Sequence, residues 1–168
     1  SMAVHQHCRG GIHNDHLDSL VELSDIDDTQ TDRDGVLDAK TNQPSVYADV
    51  AAAFPFAIYN RLESGFIGFD FHPEFARNGL FYTIHSERAA GNPAVPNFIP
   101  PGFTPAQVTH HNVITEWRTA TPAAPAFAGT RRELLRVAHI VDTLTHPMGN
   151  VEFDPTARPG SPDYGLIY

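Results

Sequence analysis

Proline is the residue that most limits how this 168-residue chain can fold. The chain holds fourteen prolines, and residues 89–109 alone contain five of them. Because proline donates no backbone hydrogen bond and fixes φ, such a region cannot be the interior of a strand or a long helix. Eleven phenylalanines are available to build a core. The pattern therefore predicts short strands joined by long turns, in an all-β antiparallel protein.

The strand predictions follow from apolar and aromatic runs between these turns. We predict strands at residues 45–49, 65–72, 80–86, 110–118, 133–139 and 151–153, another beginning at 166, and a short helix within 50–56. The turn at Arg77-Asn78-Gly79 joins two of the strands into a hairpin, since Asn and Gly tolerate positive φ.

Composition divides the chain into two parts and excludes several functions. Residues 1–44 are rich in His and Asp and stay without a firm assignment, whereas residues 45–168 carry the β pattern. The formal charge is −9 with no basic run, which argues against nucleic acid and anionic membranes as partners. No stretch approaches the roughly 20 apolar residues of a membrane span. The first twenty residues also lack the apolar centre of a signal peptide.

Three ordered motifs carry a resemblance to a known family. Residues 63–75 read ESGFIGFDFHPEF and precede NGLFY at 78–82; residues 111–117 read HNVITEW and precede RRELLRV at 131–137; residues 146–155 read HPMGNVEFDP and lead to YGLIY at 164–168. In order and spacing these motifs resemble the glucose/sorbosone dehydrogenases that depend on pyrroloquinoline quinone (PQQ). The resemblance covers roughly residues 45–168.

The resemblance implies a six-bladed β-propeller that binds PQQ and calcium and oxidises sugars in the periplasm or outside the cell. His146 occupies the position of the general base that takes the hydroxyl proton, a role suited to a side chain that titrates near neutral pH. Glu63 occupies a position beside the substrate. Without the resemblance, each would be an ordinary surface residue of a loop or turn.

Departures from the family pattern suggest that only its N-terminal portion is present. Thr145 replaces an Asp found in some members, and the sequence ends before the later blades that hold the quinone and calcium. About two to three blades fit, because a blade needs about 40–50 residues. We therefore expect no dehydrogenase activity from the isolated chain. The alternative is a non-catalytic propeller-derived module that forms homo-oligomers through exposed strand edges.

Other candidate ligand residues lie near the start of the chain. Asp32, Asp34 and Asp38 follow Gln30 with the spacing of half a calcium loop, where alternating carboxylates converge on the ion. Thr41 stands where a bidentate Glu is expected, so a solvated acidic linker is the competing interpretation. A separate group could bind zinc or nickel adventitiously, and its members are His5, His7, Cys8, His13 and His16.

The remaining conspicuous side chains are predicted to be structural. His72 ends a strand, where an imidazole satisfies backbone groups. His110 and His111 should point to opposite faces of a strand and so share no metal. Packing is predicted for four aromatic residues, Phe66, Phe69, Phe71 and Trp117.

Overall fold

The fold is mostly β, as the sequence predicts. A computed structural model describes residues 34–37, 44–57, 65–140 and 148–168. Its strands are β1 (Asp34–Leu37), β2 (Pro44–Ala48), β3 (Phe66–Phe71), β4 (Leu80–Arg88), β5 (His110–Thr119) and β6 (Gly129–His139). Two one-turn helices, α1 (Val50–Ala53) and α2 (Phe75–Asn78), and short 3₁₀ turns at Val95–Asn97 and Pro105–Gln107 complete the elements. In the described part, no helix is long and apolar enough to cross a membrane.

Two antiparallel sheets organise these strands. β1 pairs with β2, and the larger sheet has the order β3-β4-β5-β6, in which each strand pairs with its neighbour in sequence. Among the described residues β3 and β6 are its two edges, so this sheet is open. The predicted hairpin is confirmed, because β3 and β4 pair antiparallel around Gly79. Gly79 has φ of 67°, and a Cβ there would lie 1.9 Å from the Thr119 carbonyl oxygen, so only glycine fits this turn.

One face of the larger sheet, here called the aromatic face, is covered by β2 and α1. Phe81 from β4 stacks on Trp117 from β5 with ring centroids 5.5 Å apart, and Tyr47 from β2 packs on Phe81 at 5.8 Å. Phe81 is fully buried and Trp117 is 2% exposed. Fully burying one such side chain stabilises a fold by about 1.5–3 kcal/mol, so this cluster anchors the sheet.

The opposite face, here called the aliphatic face, is covered by residues 148–168. Ile84 from β4 is fully buried, and Val151 and Phe153 pack with it and with Tyr82. Met148 and Ile167 extend the same cluster. The larger sheet is thus enclosed between a segment that precedes it in sequence and one that follows it.

The strand predictions at 151–153 and from 166 onward are wrong. These segments form an isolated bridge between Phe153 and Ile167, flanked by two backbone hydrogen bonds between Glu152 and Tyr168. Turns occupy most of the residues between Phe153 and Ile167, and closely spaced turns leave too few extended residues to form a paired strand. The other predicted strands are present, although β4 extends two residues further than predicted and β6 begins four residues earlier.

Candidate functional site

The predicted catalytic and metal-binding residues mostly lie outside the described part of the chain. Glu63, His146, Asp32 and Asp38 fall in segments that are not described, and their roles stay predictions. Asp34 begins β1, where its backbone is opposite Ala48 of β2. The geometry relevant to the candidate site is therefore that of the described segments that follow Glu63 and His146.

The two segments that follow Glu63 and His146 lie side by side. The Asn150 side chain lies against the Gly68 backbone, because a Cβ built on Gly68 would come 1.8 Å from Oδ1 of Asn150. Further along, the Phe153 backbone N–H donates to Oδ2 of Asp70 at 2.8 Å. The contacts advance from 68 to 70 on one segment and from 150 to 153 on the other, so the two segments run in the same direction.

Asp70 is the polar link between these segments. Its Oδ1 accepts a hydrogen bond from the Phe71 N–H at 2.8 Å, while Oδ2 accepts the one from Phe153. Burial raises the pKa of Asp70, and the two backbone hydrogen bonds oppose that rise without cancelling it. The carboxyl acts as a connector between β3 and the segment covering the aliphatic face.

A buried line of hydrogen bonds crosses the larger sheet at the end where Gly65 lies. The Ser86 N–H donates to the Gly65 carbonyl oxygen at 2.8 Å, and the Ser86 hydroxyl donates to Asn112 Oδ1 at 2.8 Å. Since Asn112 Oδ1 is the acceptor there, its Nδ2 donates to His139 Nε2, 2.8 Å away. Burial lowers the pKa of His139, which favours the neutral ring that can accept this bond. His110 stacks on His139 with ring centroids 4.3 Å apart.

This line of hydrogen bonds connects Gly65, at the start of the segment after Glu63, with His139, at the end of β6 before His146. Gly65 follows Glu63 by two residues, and His139 lies at the end of β6, seven residues before His146. Ser86 and Asn112 are both fully buried, so their hydrogen bonds are not exchanged with solvent. The arrangement can fix where the two segments leave the sheet. It does not form a nucleophile–base pair, because the Ser86 hydroxyl donates to the Asn112 amide oxygen.

A second polar cluster occupies the aromatic face near the same end of the sheet. Glu87 Oε1 accepts from His85 Nε2 at 3.0 Å, and Glu87 Oε2 accepts from Arg136 at 2.7 Å and from Asn92 at 3.0 Å. Burial opposes ionisation of Glu87, but the hydrogen bonds from His85 and Arg136 prevail and lower its pKa to about 2. Arg136 also binds Glu133 through two guanidinium nitrogens. The cluster is an ion network with a structural role, although His85 Nδ1 is buried without a hydrogen-bond partner.

Several of the structural predictions are confirmed. His72 Nδ1 accepts from the Glu74 N–H at 3.0 Å and contacts Asn78 Nδ2 at 2.8 Å, so it satisfies a turn. His110 and His111 lie on opposite faces of β5: His110 stacks on His139, and His111 contacts Phe98 with ring centroids 6.4 Å apart. Burial, followed by the nearby Arg136 charge, lowers the pKa of His111.

The predicted aromatic packing is also present. Trp117 belongs to the buried cluster of the aromatic face, and its Nε1 donates to Thr83 at 2.8 Å. Phe66 and Phe71 pack against that cluster, and Phe69 stacks on Phe66 at 6.2 Å.

Sequence reasoning missed the connecting roles of Asp70, Ser86, Asn112 and Glu87. A usable signal was present for Asp70, which is a polar residue between two phenylalanines of a strand. A polar side chain at a buried position needs a partner. The partners themselves are 26 to 83 residues away for three of the key bonds, which no local pattern reveals.

The described residues contain no group of three or more His, Cys, Asp or Glu side chains that could hold a metal ion. Comparisons with known proteins add no assignment: no family model matches the sequence, and a search of curated proteins finds no match.

Proposed function

We propose that this chain is the N-terminal part of a protein similar to the PQQ-dependent glucose/sorbosone dehydrogenases, in which it supplies the base and a substrate contact. The observation that carries the proposal is the parallel approach of the segments after Glu63 and His146. Glu63 lies five residues before Gly68, and His146 lies four residues before Asn150, which faces Gly68. Two aligned segments of nearly equal length favour a common site for both side chains.

The larger sheet is compatible with one propeller blade. Blades of β-propellers are four-stranded antiparallel sheets, and β3 to β6 form one in sequence order. In this proposal β3 is the inner strand of the blade, and residues 148–153 begin the inner edge of the next. The two faces of the sheet are then the surfaces that neighbouring blades cover.

The proposed chemistry concerns only residues of this chain. His146 takes the proton of a sugar hydroxyl, and the Glu63 carboxylate accepts a hydrogen bond from a second hydroxyl and so orients the ring. The resemblance implies that the hydride passes to the quinone.

The proposal is tested by proton NMR of the histidine rings in the full chain. We expect Glu63→Gln to shift the ring signals that His146→Ala removes, because the proposal places both side chains at one site and a nearby carboxylate changes the environment of an imidazole. The matched control is His13, whose ring signals are identified by His13→Ala; it belongs to the N-terminal segment that the resemblance does not cover, and its signals should stay unchanged. His146 signals that do not move in Glu63→Gln would contradict the proposal. Aldose-dependent dye reduction would contradict the expectation that the isolated chain is inactive.

A second candidate function, a self-associating module, is favoured by the outer edge of β6. Leu134, Leu135 and Val137 are 41%, 46% and 37% exposed, and no described strand pairs with this edge. An exposed apolar edge strand is a template for pairing with another chain. Light scattering would show a dimer that a Leu134→Lys/Leu135→Lys variant abolishes and the control Thr130→Lys retains; a monomeric chain at all concentrations would rule this function out.

A further inference from the structure

The end of the larger sheet that is remote from Gly65 carries a concave surface. A cavity of about 380 Å³ lies between the β3–β4 turn and the β5–β6 connection, where Arg77, Arg118 and Thr119 line it. A neighbouring cavity of about 370 Å³ shares Arg118 and Thr130 with the first and adds Arg131 and Arg132. We call the two together the arginine cleft.

The arginine cleft is positive in a strongly acidic chain. The sequence holds only eleven Lys and Arg residues against twenty Asp and Glu, yet four arginines line this cleft. Among the described residues that line it, Glu116 is the single acid. Concentrating cations around one depression raises the local potential and attracts anions.

The arginines differ in how many hydrogen bonds their guanidinium groups already make within the protein. Arg132 binds both Glu116 oxygens, at 2.6 and 3.1 Å. Arg131 donates to the Ala53 carbonyl oxygen at 2.7 Å and lies over the Phe54 ring, whereas Arg77 uses one nitrogen for Glu74.

Arg118 is the guanidinium that is available to a ligand. Its side chain is exposed and makes no hydrogen bond within the described ranges, although its charge acts on the nearby Glu116 carboxylate. Its place in both cavities puts it at the centre of the cleft, with Arg77 on one side and the Arg132–Glu116 pair on the other. Arg132 already neutralises Glu116, so the carboxylate repels an incoming anion less than a free one would.

We propose that the arginine cleft binds a small molecule through a phosphate or carboxylate group, with Arg118 as the principal contact and Arg77 as the second. A guanidinium presents a planar fork of donors that matches two oxygens of either group. Thr130 adds a hydroxyl at the wall of both cavities. Ligand pockets commonly measure about 300–1,000 Å³, so the cleft admits the rest of a small molecule. This site is independent of the proposed dehydrogenase function, because it shares no residue with Glu63 and His146 and lies at the end of the sheet remote from Gly65.

The test is a titration of the ¹⁵N-labelled full chain with inorganic phosphate and, separately, with citrate, at constant ionic strength set with sodium chloride. We expect saturable amide shifts at Arg118, Thr119 and Thr130 with a dissociation constant of about 1 mM. Arg118→Gln should weaken binding about tenfold or more, since hydrogen bonds to charged groups contribute about 1.5–3 kcal/mol. The substitution changes an exposed side chain, and circular dichroism verifies that the variant folds.

The matched control is Arg88→Gln, an exposed arginine at the other end of β4, which should bind like the unchanged protein. Tighter binding of phosphate identifies a phosphate ligand and tighter binding of citrate identifies a carboxylate, and both outcomes support the site. Shifts that do not saturate with either anion, or an Arg88→Gln effect equal to that of Arg118→Gln, would overturn it.

Discussion

The two faces of the larger sheet are covered by different segments and held by different forces. On the aromatic face, Phe81, Trp117 and Tyr47 form a tight ring cluster, and Glu87 with Arg136 forms a buried ion network beside it. On the aliphatic face, a smaller cluster packs on residues 148–168, and Asp70 ties that segment through a backbone hydrogen bond. The aromatic face therefore stabilises the fold, whereas the aliphatic face positions the segment that follows His146.

The largest expected effect comes from removing the centre of the aromatic face. Trp117→Ala should lower the free energy of unfolding by about 3–5 kcal/mol, because a large buried ring leaves a cavity. Urea unfolding followed by far-UV circular dichroism measures this, since Trp117 is the single tryptophan and fluorescence would be lost. Phe103→Ala, at a ring that is 40% exposed, should change stability little. Similar losses for both variants would remove the distinction between buried and exposed rings.

The next effect concerns the ion network on the same face. Glu87→Gln should cost about 3 kcal/mol, because it leaves the buried Arg136 charge with only the partly exposed Glu133 carboxylate as a partner. Glu133→Gln is the matched control: its carboxylate binds the same guanidinium but is 34% exposed, so we expect a loss below about 1 kcal/mol. Equal costs, measured by urea unfolding at pH 7, would contradict a special role for Glu87.

Acid should act on the two buried carboxyls in opposite directions. The folded-state pKa of Glu87 is about 2, below its ordinary value of 4.5, so its contribution is present above pH 4.5 and is lost as pH falls toward 2. The pKa of Asp70 is raised, so protonation of Asp70 favours the folded state as pH falls. We expect Glu87→Gln to flatten the acid limb of the stability curve and Asp70→Asn to steepen it. The same change in slope from both variants would contradict this.

The smallest global effect should come from the connector on the aliphatic face. Asp70→Asn keeps one acceptor oxygen and removes a buried negative charge, so the free energy of unfolding should change by less than about 1.5 kcal/mol. Locally, the Phe153 or Phe71 amide loses its acceptor, and hydrogen exchange should show faster exchange there. Unchanged exchange at both amides would mean that Asp70 does not hold the segment in place.

The sequence was sufficient for the strands of the larger sheet and insufficient for β1, α2 and the partners of the buried polar side chains. β3 and β5 were predictable because aromatic and β-branched residues alternate between turn signals, and the turn at Gly79 was predictable because positive φ favours glycine. The end of β4 was missed because Glu87 looks like a surface residue until Arg136 and His85 are seen to bind it. The start of β6 was missed because its charged residues lie on an exposed edge.

Only the resemblance to the glucose/sorbosone dehydrogenases predicted Glu63 and His146 as site residues. Nothing in the spacing of Glu63 and His146 indicates proximity, since 82 intervening residues separate them. The approach of Gly68 to Asn150 and the bond from Phe153 to Asp70 are tertiary contacts, and they supply the alignment that the sequence lacks.

The most direct test of this account asks whether residues 63 and 146 are neighbours. In a Cys8→Ser background, Glu63→Cys/His146→Cys would be treated with a short bismaleimide at high dilution, and intramolecular cross-links counted by mass spectrometry. The control pair is Glu63→Cys/Arg118→Cys, because Arg118 pairs at the far end of β5 from His110. The account predicts rapid cross-linking of the first pair and little of the second. Equal rates, or cross-linking of the control pair alone, would contradict a shared site for Glu63 and His146.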